Sequence, residues 1–213
     1  MRAVVVVYSL MIVGAAVLGR VLGTPSLFTA PDGVAGVVAS LVAAIALALV
    51  VVAVGRRLES RPWYRAMGDT LRHALEVALG PDFDQYAIAV AAYSSVGEEA
   101  LFRGVIQPWL VGVAGRLLDP EAAAPGLLAT VIGVTLAAVV FGLVHLPRVK
   151  ELRPWTAFAF VVGLLFGVLA AASGSLLAPI VAHLVINWLN MRRLKSFPRS
   201  SDPAGVAPRG PLM

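Results

Sequence analysis

From Pro154 to Met191 the chain carries no formal charge, and from Val34 to Gly55 its only polar side chain is Ser40. Apolar runs of this length restrict the fold more than any other feature. A hydrocarbon core about 30 Å thick is crossed by about 20 apolar residues in a helix, and only a backbone that satisfies its own hydrogen bonds can cross it. Composition agrees: 59% of the residues are hydrophobic and 14% charged, against about 45–50% and about 25% in soluble domains. The chain therefore reads as an all-α, polytopic membrane protein. Its net charge of +5 is assigned to cytoplasmic loops, and no nucleic-acid partner is expected. Cysteine is absent, which excludes disulfides and thiolate chemistry.

The pattern predicts about six transmembrane helices and one interfacial amphipathic helix. Ala3 to Gly23 is the first span; its uncharged stretch is longer than the about 7–15 residues of a signal-peptide core. TPSLFTAPDG reads as a loop, and Val34 to Gly55 as the second span. Trp63, Met67, Leu71, Leu75 and Leu79 then recur every four residues. Opposite them stand Arg65, Asp69, Arg72 and Glu76, so this segment reads as a helix lying in the interface. The third apolar region, from Gln85 to about Gly115, would be about 46 Å long as one helix, too long for a bilayer. A kink or break is expected at Gly97 or Pro108. Ala122 to Pro147 is the fourth span. Ala172-Ser173-Gly174-Ser175 divides the long uncharged run into a fifth and a sixth. Lysine and arginine cluster before the first span, after the second and fourth, and in the tail. That alternation puts both termini in the cytoplasm.

Between Gln85 and Gly115 the only charges are Glu98, Glu99 and Arg103. A charge at the centre of a membrane helix costs about 2.5–3.5 kcal/mol on insertion scales, so such residues mark function by default. Glu99 and Arg103 are four apart and can pair on one helix face. Glu98 is turned about 100° from Glu99 and is free to face an interior cavity. His145 lies near the end of the fourth span. His183 and Asn187 are four apart on the sixth, where they could bond between helices as polar glue. A carboxylate and two imidazoles on separate spans are also the inventory for activating water, by a general base or by a metal. His73 lies on the polar part of the interfacial helix, away from these groups.

Glu98-Glu99-Ala100-Leu101-Phe102-Arg103 matches an EExxxR motif, Phe141 to His145 matches FxxxH, and His183 to Asn187 matches HxxxN. In this order, each on its own apolar segment, they resemble the CPBP family of type II CAAX prenyl endopeptidases and bacteriocin-processing or immunity (Abi) proteins. The resemblance runs from about Gln85 to Asn190. It implies an intramembrane endopeptidase in which Glu98 is the general base and His145 assists. His183 and Asn187 would stabilise the oxyanion, and Glu99 and Arg103 would hold the site in shape. The family is often labelled metalloprotease; with no HExxH in this chain a metal-free site is expected, and if zinc is used, Glu98, His145 and His183 are its ligands. The expected partners are the bilayer and a membrane-associated peptide or protein, prenylated or bacteriocin-like. The competing reading is a non-catalytic immunity protein, scaffold or small transporter that keeps the polar centre. The expected organisation is two N-terminal spans with the interfacial helix in 1–84, a catalytic core in 85–191, and a disordered cytoplasmic tail in 192–213.

Overall fold

The computed structural model describes residues 1–24 and 31–196. Its eight α-helices are, in chain order, α1 (Arg2–Leu22), α2 (Gly33–Leu58), α3 (Pro62–Leu79), α4 (Ala87–Leu101), α5 (Gln107–Leu118), α6 (Leu127–Val144), α7 (Arg153–Ser173) and α8 (Leu177–Lys195). Short 3-10 turns cover Phe83–Tyr86 and Lys150–Leu152. No strand occurs among the described residues. Four segments are long and apolar enough to cross a membrane: Arg2–Leu22, Gly33–Leu58, Leu127–Val144 and Lys150–Ser173.

The third apolar region solves its length problem with a π-helical turn, Phe102–Ile106, between α4 and α5. The i→i+5 bonding of a π turn inserts a residue into the spiral and re-aims the helix beyond it. Pro108, in the first turn of α5, has no N–H to bond back to Gly104 and so suits the end of that irregular turn. The predicted break is thus near Pro108. Gly97 is no break: α4 runs straight through it, and its missing side chain serves packing instead. A Cβ there would lie 3.0 Å from Tyr8 Cδ1 and 3.3 Å from the Tyr8 carbonyl oxygen. Gly174, at φ 61°, ends α7 in the left-handed region that glycine tolerates, dividing the long uncharged run where the sequence predicts.

Helix contacts are made largely by small residues, as expected where apolar side chains gain little by leaving lipid-like surroundings. On α2 the inner face is Ser40, Ala44, Ala48, Val52 and Gly55. Ala44 and Ala48 pack with Val162 and Phe166 of α7 and with Ala178, Ala182 and Ile186 of α8. Meanwhile Leu10, Val13, Val38, Val42, Leu49, Leu127 and Val131 are exposed. Contiguous apolar surface of this kind marks contact with an apolar partner or a membrane. The pairs α1–α4, α2–α8, α4–α8, α5–α6 and α6–α7 build the bundle.

The cytoplasm-assigned ends are tied by charge. Arg193 on α8 meets Glu59 after α2 and Tyr64 on α3. Lys195 meets the Pro81 carbonyl, Asp82 at 3.0 Å and Asp84 at 3.5 Å. Two expectations need correction here. Arg72 is not on the open face of α3: it is buried and bonds Asp69 at 2.7 Å, because its i−3 carboxylate accompanies it inward. Residues 192–195 are not disordered but complete α8, held by those contacts. Residues 197–213 of the predicted tail, and most of the predicted loop after α1, lie outside the described residues.

Candidate active site

α4, the π turn, the end of α6 and α8 bring the singled-out polar residues together. α4 presents Glu98 and Glu99 from adjacent positions, so their carboxylates face different neighbours. Glu99 is fully buried; its Oε1 accepts from Arg103 Nη1 at 3.1 Å and from His183 Nδ1 at 2.8 Å. Arg103, on the π turn, also donates through Nη2 to the Gly163 carbonyl of α7 at 2.7 Å. Its guanidinium lies 4.5 Å from the Phe141 ring centre and 5.6 Å from that of Phe166, a cation–π seat between two aromatic faces. Gly163 makes room for it: a Cβ there would be 3.2 Å from Arg103 Nη2. A buried cation is tolerable when a carboxylate compensates it; Glu99 does so here, and the Gly163 carbonyl takes a second N–H donor.

Glu98 is 8% exposed and faces the other way. Its Oε2 is 3.8 Å from His145 Nε2 and 3.9 Å from His183 Nε2. Both imidazoles are held by their far nitrogens. His145 Nδ1 lies 2.7 Å from the Phe141 carbonyl, which can only accept, so Nδ1 carries the proton. His183 Nδ1 donates to Glu99 in the same way. When the ring is neutral, this tautomer turns an Nε2 lone pair toward Glu98. Glu98 Oε2 and each Nε2 are separated by more than one hydrogen bond, a spacing that suits a bridging water, whose two protons serve two of the three atoms. The FxxxH spacing has a local reason. His145 stands just beyond the last turn of α6, where the Phe141 carbonyl is within reach, and the two rings are 4.5 Å apart.

Asn187 is one helical turn beyond His183 and donates from Nδ2 to Ser94 Oγ at 3.2 Å. Ser94 lies one turn before Glu98 on α4, so α8 and α4 meet along two polar rungs. His73 is exposed on α3, apart from this cluster.

Two participants carry no signal in the sequence motifs. Ser94 is one hydroxyl among many. Tyr8, on α1, donates its hydroxyl to Glu98 Oε1 at 3.2 Å. The only hint of it is Gly97 directly before the paired glutamates, a place where another helix can come close.

A tetrahedral zinc with bonds of about 2.0–2.1 Å sets its ligand atoms about 3.3 Å apart. The Glu98–His145 and Glu98–His183 separations are wider, and no group of three or more His, Asp or Glu side chains among the described residues is arranged to hold a metal ion. The donor set does not fit zinc as placed. A cavity of about 380 Å³ reaches Arg103 and Gln107 from the side of Pro108, Thr130 and Ser175, but Glu98, His145, His183 and Asn187 do not line it. Its size gives it no claim to the chemistry, which needs the carboxylate and imidazoles.

Comparison with curated proteins gives no match, and neither does comparison with solved structures. A family model described as "Type II CAAX prenyl endopeptidase Rce1-like" matches residues 85–189. That segment begins before α4 and ends in α8, and it contains all three motifs with the Glu98, Glu99, Arg103, His145, His183 and Asn187 cluster. Residues 85–189 thus match the model of the type II CAAX prenyl endopeptidase Rce1-like family, in agreement with the three motifs they contain.

Proposed function

We propose that this integral membrane protein hydrolyses a peptide bond of a membrane-associated substrate, with water activated between Glu98, His145 and His183. The observation that carries the reading is the convergence of Glu98 Oε2 with two imidazole lone pairs at 3.8 and 3.9 Å. A water placed there gives one proton to Glu98 as its oxygen attacks the carbonyl carbon. His145 accepts a hydrogen bond from the same water and orients it. The carbonyl oxygen becomes an oxyanion, and Asn187 Nδ2, released from Ser94, is the neutral donor in reach of that side. His183 joins it only once its Nε2 is protonated, and Glu99 at Nδ1 compensates the charge this adds. Collapse of the intermediate breaks the C–N bond, and the proton held by Glu98 passes to the leaving amine. Glu99 and Arg103 take no part in bond making; they fix His183 and the π turn.

The proposal includes the finer architecture: six crossings, with α4 and α5 together as the third, α8 as the sixth and α3 in the interface. Both termini lie in the cytoplasm, and 85–191 is the catalytic core behind the N-terminal unit 1–84. The substrate is a peptide or protein held at the membrane, prenylated or bacteriocin-like.

Membrane peptides from cells carrying the wild type and Glu98→Gln are compared by mass spectrometry. New peptide ends present only with the wild type are expected. Identical peptide sets, with both proteins present in equal amount, would sink the protease reading. The Asn187–Ser94 and His183–Glu99 bonds also serve as ties between helices, which is the observation favouring a non-catalytic scaffold; a Glu98→Gln variant that keeps full biological effect would select it.

A further inference from the structure

The polar centre has a contributor outside the family-matched segment. The inner stripe of α1 is Tyr8, Met11, Ala15, Gly19 and Leu22. Ala15 and Leu22 pack with Ala100 and Val105, and Met11 packs against Phe102 and Phe141. Tyr8 is the one polar side chain on that stripe, and its hydroxyl reaches Glu98 Oε1 at 3.2 Å. The approach depends on Gly97, where a Cβ would be 3.0 Å from Tyr8 Cδ1 and 3.3 Å from Tyr8 Cβ.

We infer that Tyr8 is a positioning residue of the active site and that α1 is part of the catalytic unit. This rests on the protease reading above. The terminal torsion of a glutamate is broad and roughly two-fold. A carboxylate with one anchored oxygen keeps the other aimed. The Tyr8 hydroxyl holds Oε1, and Oε2 then faces both Nε2 atoms. Without the anchor the carboxylate turns and the water it shares with the imidazoles loses its orientation, which slows attack without weakening substrate binding.

The test uses the full chain in detergent with an internally quenched peptide ending in Cys-aliphatic-aliphatic-X, offered with and without a farnesyl group on the cysteine. Tyr8→Phe keeps the ring and removes the hydroxyl. It is expected to lower kcat about 10–100-fold, the effect of one hydrogen bond to a charged group, with KM within about twofold. A merely structural role moves stability and leaves no such split. Gly97→Ala pushes α1 from α4 and is expected to lower kcat similarly, the double variant being no worse than the more affected single one. Wild-type kcat in Tyr8→Phe, or an effect confined to KM, overturns the inference. If Tyr8→Phe does not fold, Gly97→Ala decides: unchanged kcat overturns the role of α1. If the wild type cuts neither peptide, thermal midpoints of Tyr8→Phe, Glu98→Ala and the double variant decide. Coupled shifts support the Tyr8–Glu98 link while leaving the protease reading to its own test; additive shifts overturn the link. A wild type that cleaves, a dead Glu98→Gln and an unaffected Tyr8→Phe together refute this inference alone.

Discussion

At the scale of single residues, two neighbouring glutamates have been given opposite work by a turn of about 100°. Glu99 is enclosed with Arg103 and His183, whereas Glu98 keeps one oxygen open toward the imidazole edges. Breaking the enclosed set leaves a buried charge uncompensated, so Arg103→Met should cost on the order of 3–5 kcal/mol. Denaturant unfolding in detergent measures it, and adding Glu99→Gln should recover part of the loss. Asn187→Ala separates donor from tie: as an oxyanion donor its loss lowers kcat about 10²–10³-fold, whereas a mere tie to Ser94 lowers stability and leaves kcat alone. Dialysis against a strong chelator should leave cleavage intact, since the Glu98, His145 and His183 spacing is too wide for zinc; metal content and activity measured on one sample check this. The paired Glu99 and Arg103 were legible from spacing alone, because four residues make one helical turn. The Tyr8 contact was not, because no local rule says which helix will lie against Gly97.

Among the elements, the π turn does what no regular helix could. It lets one apolar stretch bend while carrying Arg103 toward α7, where the Gly163 carbonyl receives it. Excess length made a break legible; the kind of break was not, since the apolar pattern carries no mark that separates a π turn from a kink. The helix boundary at Gly174 was readable because glycine acts through the backbone itself; the start of α6 was not, since the fourth span was read from Ala122 whereas the helix begins at Leu127, past Pro125-Gly126. The inward turn of Arg72 was not readable, because a stripe of apolar residues says nothing of a cation that brings Asp69 with it. Close contact between α5 and α6 depends on Gly133. A Cβ there would lie 2.6 Å from Val111 N and 2.8 Å from Val111 Cα. Gly133→Ala should therefore destabilise the protein by about 1–3 kcal/mol, read as a lower thermal midpoint.

For the molecule as a whole, absence of cysteine makes topology directly testable. With both termini inside, Glu121→Cys should react with a membrane-impermeant maleimide on intact cells, and Ser60→Cys only after permeabilisation. The reverse pattern would invert the topology. The all-helical fold was legible because apolar runs leave a membrane chain few alternatives. α8 is harder to read from hydropathy, since His183, Asn187 and its basic end dilute its apolar character while serving the interior. α1 leans on the rest of the bundle mainly along α4 and the π turn, and its opposite face is open. A tilting outer rod with one foot on the carboxylate is a gauge of its surroundings. Bilayers whose acyl chains are too short or too long for it change its tilt, so under the proposed role of Tyr8 cleavage should vary with lipid thickness.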